Sequence, residues 1–369
     1  MPILVMAAAA GLLYLLQLAL YKRRWDKGLD CELDLGADRY IFEGDSIEIE
    51  ETLENRKRLP LPWVYFKFAL AANGKPTVFH SDMFSLRNFT RIRRKRKIRL
   101  DQRGLYTVSE IDLVSHDLFL SRTFSKVMNK HPQSVTVYPR LINRDEWPVA
   151  FEALTGDSIA RKIFPEDPYL FKGIRDYQST DSVRNINFKA SARTGEWKVN
   201  LHETTTSQKV CILLGMDKAA RYYDPVLYEQ AMRIAGTLAS IFEKEGVPVE
   251  LRSNGLDSVD GCPIAVEAGC GTEHIYDILG ALARLDLEKE EGSIVSYLDG
   301  AAAAEDANTE YILVTPAYKA GIKEAYGRIA AAGRRVRWIV PSTLAQSRDK
   351  FFEPNQYAQE LPNVILWTV

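Results

Sequence analysis

The 369-residue chain is 46% hydrophobic and 26% charged, and its 48 basic and 49 acidic side chains leave a net charge of -1. That balance supplies no global field for nucleic acid, so an electrostatic partner has to be met locally. Collagen-like, disordered, disulfide-miniprotein and multi-span transporter classes are excluded by the same figures, and the length suggests two or three domains.

The first predicted element is the apolar run from Ile3 to Tyr21, whose only ionisable groups are Tyr14 and Tyr21. At 1.5 Å per residue it reaches about 28 Å, close to the thickness of a bilayer's hydrocarbon. It is long for a signal sequence, no basic segment precedes it and no small-x-small cleavage site follows it, so an anchor is expected over residues 1–24. Lys22, Arg23, Arg24 and Lys27 follow the run. By the positive-inside rule they place the remainder in the cytoplasm, giving a single-pass protein of the cell membrane. Cys31, Cys211, Cys262 and Cys270 are scattered and form no Cys-x-x-Cys pair, which fits a reducing compartment.

Residues 29–140 read as short alternating runs, such as Ile47-Glu48-Ile49-Glu50 and Trp63 to Phe68. Gly44-Asp45, Leu59 to Pro62 and Asn73-Gly74 mark turns between them, a pattern that predicts a β-sandwich. The densest charge run, Arg91 to Arg99, lies inside it. As a strand it places Arg91, Arg93, Lys95, Lys97 and Arg99 on one wholly cationic face and Ile92, Arg94, Arg96, Ile98 and Leu100 on the other. A solvated strand is the expected reading; the alternatives are anionic lipid or an acidic partner near the anchor, and then nucleic acid. No aromatic residues interleave the run to form a stacking platform, so nucleic acid is not expected as a partner. Ser115-His116-Asp117 is not read as a hydrolase triad, because consecutive residues do not ordinarily converge.

Residues 141–208 form a polar connector. Within it, Arg184 to Arg193 predicts a short helix with Thr180 or Asp181 as N-cap and Gly195 as its stop, and with Phe188–Ala192 and Ile186–Ala190 as packing stripes. Its basic side chains allow a phosphate-binding or acidic-peptide surface. The favoured reading is internal pairing of Arg175, Arg184 and Arg193 with Asp176, Asp181 or Glu196, since no glycine-rich phosphate loop accompanies them. Beyond Lys209, apolar strands (Val210 to Leu214, Val247 to Leu251, Tyr311 to Thr315, Val336 to Val340) alternate with helical stretches such as Pro225 to Glu245. That order predicts a mainly parallel α/β domain over residues 209–369.

The connector's Arg175-Asp176-Tyr177 to Arg193 segment resembles the signature of the bacterial family called domain of unknown function 58. That signature is Arg-Glu-Tyr-x-x-Gly-Asp followed by Arg-x-Ile-x-Trp-Lys-x-Ser-Ala-Arg. Arg175, Tyr177, Asp181, Arg184, Ile186, Lys189, Ser191, Ala192 and Arg193 match it, whereas Asp176, Thr180, Asn187 and Phe188 replace its Glu, Gly, Asp and Trp. Arg103-Gly104-Leu105-Tyr106 and Val137-Tyr138-Pro139-Arg140 extend the resemblance over nearly the whole chain.

The resemblance implies an α+β multidomain protein: a transmembrane helix, an immunoglobulin-like β-sandwich and a C-terminal von Willebrand A-like, Rossmann-type domain. It also implies a MoxR-type AAA+ ATPase as partner, with no catalytic activity and no cofactor. Relatives that bind magnesium carry Asp-x-Ser-x-Ser after the first strand of that last domain. The matching positions here are Gly215, Met216, Asp217, Lys218 and Ala219, and Pro316 stands where a later Asp would be, so Asp217 marks a degenerate site and no metal is expected. An interaction protein docking through the crest loops after Leu214 and Thr315 is the leading expectation. The enzyme alternative is a membrane-proximal hydrolase or transferase using Asp176, Asp181, His202 and Glu203.

Overall fold

The computed structural model describes residues 2–368 apart from 37–39, 109, 129–132, 150, 154, 157–165, 178–185, 205–208, 219–222, 305–307, 350–351 and 362. The architecture is mixed α+β and multidomain, with one N-terminal apolar helix and several β-sheets. The chain divides into two compact units, Met1–Arg140 with Leu282–Leu285, and Leu141–Ala281 with Asp286–Val369.

In the first unit, helix α1 (Pro2–Arg24) ends on Lys22, Arg23 and Arg24, cations that complement the negative end of its dipole. Its large apolar side chains from Ile3 to Leu16 are exposed, whereas Tyr21 and, just past its end, Trp25 are buried in the unit's core. The Tyr21 hydroxyl donates to the Pro60 carbonyl at 2.6 Å, tying the helix end to the strand that follows. Ten strands come next: β1 (Leu29–Asp34), β2 (Ile41–Phe42), β3 (Ser46–Asn55), β4 (Leu61–Ala72), β5 (Lys75–Leu86), β6 (Thr90–Arg99), β7 (Gly104–Val108), β8 (Ile111–His116), β9 (Thr123–Met128) and β10 (Gln133–Tyr138).

One sheet runs β1-β3-β6 and the other β2-β10-β7-β4-β8-β9, with β5 paired to β4. Period-two alternation sends Ile49 and Leu53 of the first sheet and Phe66, Phe84, Tyr106 and Leu113 of the second into one shared core. The β4–β5 hairpin closes on Asn73 (φ 47°) and Gly74 (φ 80°). Both are left-handed, the backbone a two-residue turn needs to match the strands' twist and one that Asn and Gly tolerate best.

In the second unit, β11 (Glu166–Asp176) pairs antiparallel with β12 (Lys198–Thr204), and helix α2 (Phe188–Thr194) lies between them in sequence. The larger sheet contains β13 (Lys209–Leu214), β14 (Val249–Asp257), β15 (Pro263–Gly269), β16 (Leu285–Glu290), β17 (Thr309–Val314), β18 (Arg335–Ser342) and β19 (Val364–Thr368). Its order is β15-β14-β13-β17-β18-β19, with β16 also on β14; every pairing on the main path is parallel except the edge strand β15.

Burial on both faces explains the apolar runs Val210 to Leu214 of β13 and Tyr311 to Val314 of β17. The remaining helices are α3 (Pro225–Lys244), α4 (Thr272–Arg284), α5 (Ile294–Ala303), α6 (Ala320–Ala331), α7 (Leu344–Arg348) and α8 (Glu353–Glu360). Asp224 caps α3 by accepting from the Val226 N–H, Pro225 opens its first turn, and Leu227, Ala231, Ile234, Leu238 and Phe242 form its buried stripe. Cys211 and Leu213 join Ile294, Leu298, Ile322 and Tyr326 of α5 and α6 in one cluster, so the alternate residues Ile212 and Leu214 face the other way.

Candidate functional site

The crest of the parallel sheet, where β13 and β17 end, is built around a close approach. A Cβ on Gly215 would sit 2.8 Å from both Cβ and Oγ1 of Thr315, so only glycine lets these two strand ends meet. Two residues on, Asp217 is 3% exposed and its carboxylate is fully engaged. Ser293 Oγ donates to Oδ1 at 2.6 Å, while the Ile294 N–H and Asn254 Nδ2 donate to Oδ2 at 2.9 and 3.1 Å. Asn254 in turn accepts from the Met216 N–H at 2.8 Å, and the Tyr228 hydroxyl donates to the Asp217 carbonyl at 2.6 Å.

Ser293 is the N-cap of α5, so the carboxylate also meets the positive end of that helix dipole. Asp217 thereby latches the β13 loop to β14 and α5. A hard divalent cation would have to displace these donors before it could use the same oxygens. Lys218 Nζ donates to the Glu288 carbonyl at 2.7 Å and lies 5.9 Å from the Tyr223 ring centre, and Ala219 lies outside the described residues. Among the described residues no cluster of three or more His, Cys, Asp or Glu side chains is placed to hold a metal. Tyr223, Val226, Val259 and Leu344 stand exposed in the segments that follow the C-terminal ends of β13, β14 and β18.

The signature segment is arranged differently from the sequence expectation. Its helix spans Phe188–Thr194 rather than Arg184 to Arg193, and its N-cap is Asn187, whose side chain accepts from the Ala190 N–H at 2.9 Å. The Ile186–Val199 bridge keeps Ile186 out of the helix, and the expected caps Thr180 and Asp181 lie outside the described residues. The stop at Gly195 is as expected, with φ 74°. Phe188 does not pack into the unit's core: it is 65% exposed and meets the Trp197 ring edge-on at 6.3 Å, and Ala192 is exposed too.

Ser191 Oγ accepts from the Lys198 N–H at 2.9 Å and donates to the Asn187 carbonyl at 2.8 Å, so it clasps α2 to β12. Arg175 donates to the Asp176 carbonyl at 2.9 Å, and the carboxylates of Asp176 and Glu196 both reach Lys198. Lys189 and Arg193 are exposed on α2, and Tyr177 is half-buried with its N–H on the Trp197 carbonyl. Asp181 and Arg184 lie outside the described residues, as do the side chains of His202 and Glu203.

The basic run forms β6, with its cations alternating as expected, but it lies beside an acidic strand. Arg91 faces Glu54, Lys95 faces Glu50 and Lys97 faces Glu48 across the β3–β6 register. Arg93 reaches Glu50 at 2.9 Å, Lys95 reaches Glu48 at 2.7 Å, Arg91 reaches Glu32 at 3.4 Å and Arg99 reaches Asp101 at 2.6 Å. This outer face is an ion-pair ladder and not a bare cationic stripe.

On the other face Arg94 and Arg96 both reach Asp82, each at 3.1 Å, and Arg94 also covers the Phe84 ring at 4.4 Å. Beside them Glu51 is fully buried, with His80 Nε2 2.6 Å from its Oε1 but not aligned for a hydrogen bond. Burial, reinforced by the Asp82 carboxylate, pushes the Glu51 carboxyl up to about 7, and burial holds His80 below its usual value.

Other chemistry-bearing side chains among the described residues do not assemble. Ser115 donates to the Trp63 carbonyl, His116 contacts Thr123 and Asp117 accepts from its own loop and from Gln17 of α1, so the three diverge. Cys262 and Cys270 lie against the Asp260 and Gly246 carbonyls, while His274 is held by the Val249 carbonyl at 2.7 Å. A cavity of about 520 Å³ lies over β13 and β14 beside α5, lined by Lys209, Glu250, Arg252, Glu267 and Tyr297. Its charges pair with one another, and burial, then the Glu250 charge, pushes the Cys211 thiol there up to about 12, which makes it a poor nucleophile.

Sequence reasoning missed Asn254, Ser293 and Tyr228 as partners of Asp217. The one local signal was Ser293 preceding the apolar start of a helix. No family model matches the chain, and no curated protein matches it. Among solved structures it is similar to a Northeast Structural Genomics Consortium target at 14% identity, covering 32% of this chain and 92% of that one, with a TM-score of 0.23. It is also similar to a conjugative transposon lipoprotein from Bacteroides eggerthii at 14% identity, covering 28% and 97%, with a TM-score of 0.17. A glycoside hydrolase family 20 exo-β-N-acetylglucosaminidase from Vibrio harveyi aligns over 92% of this chain and 81% of its own at 10% identity, with a TM-score of 0.21. Scores this low establish no shared fold.

Proposed function

We propose that the chain is a non-enzymatic, membrane-anchored adaptor of the domain of unknown function 58 type. On this reading α1 is a single-pass anchor and the remainder lies in the cytoplasm as an immunoglobulin-like sandwich and a von Willebrand A-like domain. Its crest docks a protein partner of the MoxR-type AAA+ class without a metal ion.

The observation that carries the reading is the Asp217 latch: the one carboxylate at the degenerate metal position is spent on Ser293, Ile294 and Asn254. The strand order, with the antiparallel β15 at its edge, favours the von Willebrand A-like assignment, and ligands of such sheets collect at the strands' carboxyl ends. The exposed Tyr223, Val226, Val259 and Leu344 supply apolar anchors there, the kind of side chain that dominates protein interfaces.

The test is capture of a purified MoxR-type ATPase by the full chain in its own membranes. Capture is expected to be unchanged by a magnesium chelator and weakened by Val226→Asp with Leu344→Asp. Capture abolished by the chelator, or indifferent to both substitutions, would contradict the reading.

A further inference from the structure

The loop between β8 and β9 carries Leu118, Phe119 and Leu120, exposed by 47, 66 and 56%. Three adjacent water-facing apolar side chains on a short loop need an explanation, and the loop's neighbour supplies one. Phe119 lies against Tyr14 of α1 with ring centres 6.0 Å apart, the Tyr14 hydroxyl donates to Ser121 Oγ at 2.8 Å, and Gln17 Nε2 donates to Asp117 at 2.9 Å.

These contacts place the loop beside the apolar stretch of the helix and not beside its basic end. Tyr14 precedes Tyr21 by seven residues, about 10 Å along the axis. Residues 3–13, the part of α1 beyond the loop's reach, measure only about 16 Å, roughly half a bilayer's hydrocarbon. A membrane that accommodates the whole apolar run up to Lys22 therefore also reaches Leu118, Phe119 and Leu120.

We infer that this loop is a second membrane-contacting element, inserting Leu118, Phe119 and Leu120 into the lipid beside α1; the inference rests on the reading of α1 as an anchor. The loop is built for such an environment, because its one carboxylate is sealed. Asp117 is fully buried, and it accepts from Ser121 Oγ and N–H at 2.6 Å, from the Arg122 N–H at 3.1 Å and from Gln17. Leu120 sits at φ 57°, closing the turn with its N–H on the Asp117 carbonyl and leaving the three apolar side chains outward. A polar group left unsatisfied at this depth would be costly, and a fully bonded aspartate avoids that cost.

The experiment uses the full chain with Cys262→Ser and Cys270→Ser, reconstituted in phosphatidylcholine–phosphatidylglycerol vesicles. Single cysteines introduced by Leu12→Cys, Phe119→Cys or Phe79→Cys carry a nitrobenzoxadiazole fluorophore, and doxyl-labelled lipids report depth by quenching. Phe79 is 79% exposed and pairs with Ala69, about 26 Å up β4 from the membrane-proximal Leu61. The labels at 12 and 119 are expected to be blue-shifted and quenched, and the label at 79 to emit as in water. A quenched label at 12 with an unquenched label at 119 overturns the inference and leaves the anchor standing. An unquenched label at 12 overturns the anchor reading, and the inference with it.

Discussion

Each unit of this protein contains a buried aspartate that pins a loop, and a third buried carboxylate shows what happens without donors. Asp217 is held by three donors and Asp117 by four, whereas neither oxygen of Glu51 has a hydrogen-bond partner. The difference appears in protonation. Burial works to raise the Asp117 carboxyl, yet hydrogen bonds from Ser121, Gln17 and the Arg122 N–H hold it down at about 2, while Glu51, buried beside Asp82, rises to about 7. Burial alone therefore does not make a carboxylate reactive or metal-binding; the donors around it decide which form it takes and what remains for a ligand.

Substitutions sharpen that contrast. Asp217→Ala should have the largest effect, destabilising the second unit by about 3 kcal/mol in urea unfolding, because it leaves Asn254, Ser293 and the Ile294 N–H without their acceptor. Asp117→Ala should cost the first unit about 2 kcal/mol and remove hydrogen-exchange protection at the Ser121 and Arg122 amides, while a loop that stays protected would break the comparison. The stability that Asp117 confers is present above its ordinary 3.8 and is lost as pH falls through about 2.

Glu51 has the opposite sign. The folded state keeps its proton between 4.5 and about 7 where the unfolded chain releases it, so its contribution is full below 4.5 and lost as pH rises through 7. Glu51→Gln should therefore stabilise the first unit above pH 7 by about 1–2 kcal/mol and change little in acid, as urea midpoints measured on either side of that pH will read. His80, held neutral by burial, pulls the other way as pH falls through 6.5 and remains in the variant. The smallest effect belongs to the ladder: Arg93→Ala or Glu50→Ala should shift stability by no more than about 0.5 kcal/mol, since the Arg93 side chain is largely exposed.

What the sequence made legible was local. Alternation in Ile47 to Glu50 and Arg91 to Arg99, the Asn73-Gly74 turn, the helix from Pro225 and the Gly195 stop depend on neighbouring residues, and each has the backbone its pattern implies. The Asp217 and Asp117 clasps were not legible, because Ser293 is 76 residues from Asp217 and Gln17 is 100 residues from Asp117. The pairing of the basic run was missed for the same reason: Glu48, Glu50 and Glu54 read as a separate strand until register sets them opposite Lys97, Lys95 and Arg91. The signature helix starts at Phe188 because Ile186 is taken into a bridge with Val199, 13 residues on, and Asn187 caps the first turn.

Manganese binding followed by electron paramagnetic resonance on the full chain in detergent, compared with its Asp217→Asn variant, tests the latch most directly. A carboxylate committed to Ser293, Ile294 and Asn254 predicts identical spectra of free aqueous manganese for the two proteins. Bound manganese in the wild type that disappears with the substitution would contradict the account.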